Sequence, residues 1–490
     1  MTTENRPQRD MLQDPCWQAE DLGAPMPDSP HAASACLPLW QHNIDYEENV
    51  PEVVDRLQAA YPRFCLHPFI RSLCRKVFGD ENRGLIFPSR RVALSALQYV
   101  RSRGVKSARL HELDHHGPTG VVCAEDFSVL REYWQHSGRI LTSRAAELLL
   151  AGQPVSISET TARTTVRRRL ADFSGCAEAD VRLFPSGMAA VCTAWEITRR
   201  IDPDSPSLQF GFPYVDTLKI QQRFPPQKWN FLPAGDAADL DALKQILSRQ
   251  KISAVFCESP ANPLLTEPDL QTLRALADEY GFLLVIDDTL SAVINRNLLD
   301  HADLLVTSLT KYFSGIGDVL AGSLRINPSG PHAARIREAL DQDFEELLCD
   351  SDADVLESNS RDLQQRVTVI NANAAVLAER LRQHPAVQQV FYPASATSSD
   401  SASPAGGGLM SIVLRDPERT TAPAFDRLAV CKGPNLGTNF TLCCPYTLLA
   451  HYSELDEVEQ CGVSRWLLRI SVGTEPLEQL WGRFERALHR

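Results

Sequence analysis

Between residues 165 and 326 the chain alternates two patterns. Short apolar, β-branched runs, SAVFCE (253–258), FLLVID (282–287) and ADLLVTS (302–308), stand among stretches whose apolar residues recur at helical spacing. A strand turns every second side chain to the same face, a helix every third or fourth, so runs that are apolar throughout predict strands covered on both faces. DLQTLRALADEYG (269–281) predicts a helix between the first two runs, closed by Gly281. Strand, helix and strand in this order predict parallel βαβ units, hence an α/β fold with a mostly parallel sheet and helices on both faces. Each run hands over to polar residues at its carboxyl end, the edge where open α/β sheets bind ligands, which makes Glu258, Asp287 and Ser308 neighbours.

The flanks read differently. Residues 1 to about 35 are rich in Pro, Asp, Gln and Ser without periodicity, which predicts a poorly ordered arm with no part in chemistry. From about 36 to 125 the pattern is mixed, with helices expected at PEVVDRLQAAY (51–61) and RRVALSALQYVRSRG (90–104). A helix-rich stretch, 331–385, leads through the loop SATSSDSASPAGGG (395–408) to further strands, LMSIVL (409–414) and WLLRISVG (466–473), and a last helix over 476–490. The expected division is an arm and accessory region over 1–125, a ligand-binding α/β domain over 126–330, and a smaller C-terminal α/β domain over 331–490. There is no internal repeat.

Composition narrows the function class. The 490 residues, 43% hydrophobic and 23% charged, suit a globular protein. With 49 basic against 62 acidic residues the net charge is -13, and no basic run is long enough for a phosphate-backbone footprint, so nucleic acid is not an expected partner. RRR at 167–169 lies in a helical pattern and reads as one solvated face. No apolar run approaches the roughly 18 residues that span a bilayer. The first 30 residues carry neither a secretory apolar core nor a transit-peptide composition, and a cytosolic protein is expected. The 13 cysteines include no CxxC pair or zinc-like His/Cys spacing, which fits reduced, buried thiols.

The candidate chemistry centres on Lys311. It lies in SLTKYFSGIGDVLAGS (308–323), flanked by Ser308, Thr310, Tyr312 and Ser314, with no other charge until Asp318. Such a lysine can form a Schiff base, although alone it reads more readily as an exposed loop residue. Asp287 closes an apolar strand, where a carboxylate is costly unless it caps a turn or faces a cation such as a protonated pyridine nitrogen. FPSGMAAVCTAWEI (184–197) opens a helix on a glycine, so the Gly187 and Met188 amides would favour an anion, with Ser308 and Thr310 adding hydroxyls; the alternative is a glycine that only relieves strain. Tyr214 offers a face for stacking or a core aromatic. Asn262, in ESPANPLL, offers an amide for a ring hydroxyl or a turn clasp. Arg469, inside an apolar strand, calls for an anion: a substrate carboxylate or an internal acid.

Taken together, SGMAA, YVDT, ESPANP, VIDDT, SLTKYFSGIGD and LLRISVGTE resemble, in order and spacing, the motifs of the cystathionine γ-synthase family of pyridoxal-phosphate enzymes. The resemblance covers about 125–490, and SPHAASACLPLW (29–40) with YPRF (61–64) looks like the N-terminal extension of its fungal branch. It implies a fold-type I transferase that binds pyridoxal 5'-phosphate. Lys311 would carry the cofactor, Asp287 would hold the pyridine nitrogen, Tyr214 would stack on the ring and Asn262 would meet the ring hydroxyl. Gly187, Met188, Ser308 and Thr310 would hold phosphate, and Arg469 the substrate α-carboxylate. Because the family takes a Tyr-x-Arg element from a neighbouring subunit, a dimer or tetramer is implied, with Arg144 of TSR (142–144) as the matching arginine and Thr142 in the tyrosine's place. Further departures are Asp288 for Asn, Ile316 for His, and PNLG (434–437) for Glu-Ser-Leu-Gly, which puts Pro434 and Asn435 where the second substrate is chosen. The implied reaction is γ-replacement on an O-acyl-homoserine, O-acetyl by analogy with fungal members, by cysteine. The alternatives are another thiol or a carbon nucleophile, as in relatives that build unusual amino acids, a γ-lyase, and a cofactor-binding regulatory relative without turnover.

Overall fold

The computed structural model describes residues 9–59, 64–113, 117–393 and 406–489. The chain forms two compact units, one of residues 63–314 and 320–361, the other of residues 1–62, 315–319 and 362–490.

The first unit begins with an antiparallel sheet of β1 (Gly84–Phe87), β2 (Arg109–Glu112) and β3 (Thr119–Val122), in the order β1-β3-β2. Its main sheet comprises β4 (Val181–Phe184), β5 (Ser207–Phe210), β6 (Trp229–Leu232), β7 (Ala254–Glu258), β8 (Leu283–Asp287), β9 (Leu304–Ser308) and β10 (Gly322–Ile326), ordered β4-β10-β9-β8-β7-β5-β6. Strands β6, β5, β7, β8 and β9 run parallel, and β10 is antiparallel to both of its neighbours.

The uniformly apolar runs have the burial that their pattern predicts. Ala254, Phe256, Leu283 and Val285 pack with the helix Gly187–Ile201, while the alternate residues Val255, Cys257, Leu284 and Ile286 pack with the helices Ala237–Leu247 and Leu270–Tyr280. Each fully buried leucine or isoleucine removes apolar surface worth about 1.5–3 kcal/mol from water, which fixes the strand register. The helix expected at 269–281 spans Leu270–Tyr280; Asp269 caps it by accepting the Thr272 N–H, and Gly281 closes it at φ 75°.

The second unit carries β11 (Val387–Phe391), β12 (Leu409–Leu414), β13 (Cys431–Lys432), β14 (Leu442–Pro445) and β15 (Leu468–Ser471), ordered β11-β12-β15-β14-β13. The helices Leu363–Gln383 and Leu477–Leu488 share its core. The loop expected at 395–408 lies, through residue 405, outside the described residues.

Two expectations are corrected. The helix expected over 51–61 spans, among the described residues, Pro51–Val54, and the Gln58 N–H donates 2.9 Å to Gly23 O instead of continuing the helical ladder; residues 60 and 61 lie outside the described residues. The arm, where described, is ordered rather than loose: Met11, Cys16, Met26 and Cys36 form a small core with Cys431, Phe440 and Leu442. Its apolar residues follow no period because they fill a seat on the second unit's sheet instead of building an element of their own. All 13 cysteines are free, and ten of them are buried. Among the described residues no helix is long and apolar enough to cross a membrane.

Candidate active site

Strand register gathers the candidate residues of the first unit along one sheet edge. Glu258 pairs with Asp287 across β7 and β8, Asp287 with Val306 of β9, and Gly322 of β10 with both Ser308 and Phe184. The turn before the helix Gly187–Ile201 leaves the same edge from β4.

That turn forms a cradle. Ser186 caps the helix by accepting the Ala189 N–H at 3.1 Å, and its hydroxyl donates 2.7 Å to Gly138 O. The Gly187 and Met188 amides precede the capped one, at the positive end of a 15-residue helix. A side chain at Gly187 would place its Cβ 2.6 Å from Ser308 Cβ, and one at Gly322 would stand 2.3 Å from Ser186 O. Both glycines therefore hold the turn, Ser308 and β10 in close contact. The Ser308 N–H donates 2.8 Å to Thr289 Oγ1, and the Lys311 N–H donates 3.2 Å to Ser308 O. Lys311 is 8% exposed. The Thr310 hydroxyl is engaged with Ala321, accepting its N–H at 3.0 Å and donating to its carbonyl at 3.3 Å.

The adjacent acids Asp287 and Asp288 separate in environment. Asp287 accepts the Thr289 N–H at 2.9 Å, and burial pushes its carboxyl up to about 6. Asp288 is 1% exposed and forms a 2.6 Å ion pair with the equally buried Arg325, with Thr307 bonding both partners and Ser174 accepting from Arg325 at 2.6 Å. Asp288 is thus tied into the fold, and Asp287 is the acid left at the sheet edge.

Glu258, a neighbour expected from the pattern but given no role, organises two other candidates. Its carboxyl accepts the backbone N–H of Tyr214 at 2.5 Å and of Asn262 at 3.0 Å. Burial, and after it the charge of Asp287, raise it to about 8. Tyr214 is also the N-cap residue of the helix Val215–Arg223, whose Asp216 meets His136 Nδ1 at 2.9 Å in a buried pair. Eighty residues separate that pair, so no local pattern announces it.

Arg144 belongs to the first unit, where its Nη1 donates 3.1 Å to Asp352, and Thr142 caps the helix Ser143–Leu150. In the second unit Arg469 projects from β15, is 4% exposed, donates to Pro434 O at 2.5 Å and Asn435 O at 3.5 Å, and lies 4.7 Å from the Tyr446 ring centroid.

A cradle that a Cβ would fill, a buried lysine after it, and a carboxyl raised at the sheet edge suit a phosphorylated aldehyde with a basic ring nitrogen. The comparisons agree. Residues 156–489 match the family model described as Cys/Met metabolism PLP-dependent enzyme. A cystathionine gamma-synthase-like enzyme of Amanita muscaria, iboG2, is 31% identical over 95% of this chain and 96% of its own length. Cystathionine gamma-synthase of Neurospora crassa is 32% identical over 96% and 98%. The fold is shared with the crystal structure of cystathionine gamma synthase from Xanthomonas oryzae, at TM-score 0.58 and 24% identity over 67% of this chain and 86% of that one. On these grounds the chain belongs to the cystathionine γ-synthase family of pyridoxal-phosphate-dependent enzymes.

Proposed function

We propose that this enzyme catalyses γ-replacement on an O-acyl-L-homoserine, with the O-acetyl ester as electrophile and cysteine as nucleophile. The observation that carries the reading is the buried Lys311 beside a glycine-lined cradle, on the sheet edge that also holds Asp287. Pyridoxal phosphate, when bound, supplies an electron sink for the bonds at the substrate's α and β carbons.

The chain's own residues do the rest. In this reading Lys311 would hold the cofactor, and its Nζ, when free, would carry protons to and from the substrate carbons. Asp287 holds the ring nitrogen protonated, and a cation there is what a raised buried carboxyl lacks. Tyr214 would cover the ring and Asn262 would meet its hydroxyl. Gly187, Met188 and Ser308 hold phosphate, as does Thr310 once its hydroxyl shares its bond to Ala321. Arg469 takes the substrate carboxylate, aimed by its bonds to Pro434 and Asn435. Arg144 would reach the phosphate of a neighbouring copy after exchanging Asp352, so an assembly of two or more copies is part of the proposal.

A second reading, with another thiol or a β-keto acid as nucleophile, rests on Pro434 and Asn435: the loop meets Arg469 through carbonyl oxygens and has no carboxylate at position 434 to greet a cysteine amine. The test is incubation with O-acetyl-L-homoserine and a panel of cysteine, other thiols and β-keto acids, with acetate release and product mass as readouts. Cystathionine is the expected product. Absence of acetate release with every nucleophile would sink γ-replacement on this ester, and acetate with only 2-oxobutanoate would indicate a lyase. Lys311→Ala should lose the cofactor's visible absorption along with turnover.

A further inference from the structure

The arm segment 26–37 has no role in the reaction as described so far, yet it is fitted to one place. It folds into a narrow loop, with an antiparallel bridge between Pro25 and Ala35 and a 2.8 Å bond from Met26 N–H to Ser34 O. Its returning leg follows β13: the Leu37 N–H donates 2.9 Å to Lys432 O, and the Lys432 ammonium donates 2.8 Å to Pro38 O. At Gly433 the fit is close: a Cβ there would stand 2.6 Å from Ser34 Oγ, 2.7 Å from Met26 Cε and 3.1 Å from Ala35 O, so the arm's side chains would have to shift to admit it. The tip makes a second anchor. The Ala33 N–H donates 2.7 Å to Gly317 O, and a Cβ at Gly317 would be 3.5 Å from Pro27 Cδ and 3.3 Å from Asn435 Nδ2.

These two anchors bracket the loop that meets Arg469. Gly433 precedes Pro434, whose carbonyl accepts from Arg469, and Gly317 stands against Asn435 and Thr438. The segment 315–319, which the tip grips, begins four residues after Lys311 in sequence and is tied at its start by the Asn439 N–H, 2.7 Å from Gly315 O. Lysine 432, buried completely, has its charge answered by carbonyls of Pro38 and Asp426 and by the face of Phe425 at 4.7 Å, so the returning leg is held by a desolvated cation as well as by apolar contact.

We infer that residues 26–37 are a positioning segment for the 433–438 loop, setting the placement of Pro434 O and Asn435 and through them the choice of nucleophile. The inference rests on the proposed role of Pro434 and Asn435 in choosing the nucleophile and deepens it: specificity is set from the arm's side of the loop as well as by the loop's own residues.

The test uses full-length, cofactor-loaded enzyme carrying Gly433→Ala, alone and with Ser34→Ala, which removes the 2.6 Å contact. Two quantities are read: hydrogen exchange of amides 435–441, and the ratio of kcat/KM for cysteine to that for 2-mercaptoethanol, a thiol with neither amine nor carboxylate, so that any effect through Arg469 on the shared electrophile cancels and the ratio reads the loop's contact with the nucleophile. Gly433→Ala should speed exchange in the loop and lower the ratio by roughly tenfold, the effect of about 1.4 kcal/mol of lost alignment. The double variant should recover a large part of both. Faster melting with unchanged loop exchange and an unchanged ratio would overturn the inference and make the arm a stabiliser only. If wild-type enzyme turned over no O-acylhomoserine with any nucleophile, the proposed function would fail, and loop exchange alone would then decide whether the arm positions the loop.

Discussion

Glu258→Gln probes the carboxyl pair at the sheet edge. Wild-type Glu258 is pushed from an ordinary 4.5 up to about 8, chiefly by burial and then by the charge of Asp287. Each tenfold change in proton affinity is worth about 1.4 kcal/mol, so the ceiling on the linked stability is about 5 kcal/mol; sharing with Asp287 makes about 2–5 kcal/mol the working range. For a raised pKa the folded state binds the proton more tightly than the unfolded chain. The stabilisation is therefore complete below about pH 4.5 and is lost as pH rises through about 8. Glutamine cannot titrate, and it offers one acceptor oxygen where the carboxyl offers two. Since the Tyr214 and Asn262 N–H groups both need an acceptor, one of them is left unpaired at a cost of about 1–3 kcal/mol. Urea melts of the apoprotein should show wild type the more stable by about 1–3 kcal/mol near pH 5, with the difference closing or reversing by about pH 9. A wild-type advantage that stays level across that range would refute the reasoning, because the carboxyl would then carry no linked proton.

Three other outcomes follow from the same edge and from the neighbouring unit. Asp288→Ala or Arg325→Met alone should cost about 3–5 kcal/mol in urea or thermal melts by stranding a buried charge, whereas Asp288→Leu with Arg325→Met should recover most of the loss. Gly187→Ala, with its Cβ 2.6 Å from Ser308 Cβ, should weaken cofactor binding by about 1–3 kcal/mol, read as a roughly tenfold to hundredfold rise in the cofactor dissociation constant; unchanged affinity would mean that the cradle is not where phosphate sits. Arg469→Met should raise KM for the amino-acid substrate by roughly tenfold to a hundredfold, the loss of one charge-assisted pair, while the cofactor's absorption is kept.

Much of the first unit was legible because its information is local. β7, β8 and β9 are apolar throughout and end on polar residues, so both the strands and their functional edge follow from pattern, and Asp269 and Gly281 mark the ends of the intervening helix. The placement of Glu258 beside Asp287 followed as well. What Glu258 does was hidden, since its partners are backbone N–H groups, which every sequence contains. The doublet Asp287–Asp288 shows a similar limit: identical side chains diverge because alternate positions face different surroundings, and Arg325, 37 residues away, claims only the second. The order of the arm is hidden for a related reason. Its buried residues pack against Cys431, Phe440 and Leu442, some 400 positions later, so no window of sequence contains both sides of the contact. The short helix at 51–54 does not continue to Gln58, whose N–H is taken by Gly23.

The sulfur atoms in the arm's seat give the protein a chemical reporter. Burial raises the thiols of Cys16 and Cys36 on the arm and of Cys431 beneath it, Cys16 to about 12 and the other two well above their ordinary value, so almost no reactive thiolate is present while the arm is seated. Alkylation of these three would require the arm to leave its seat, and mass spectrometry of the modified peptides would show whether it does, with the half-buried Cys65 and Cys461 as comparators in the same molecule.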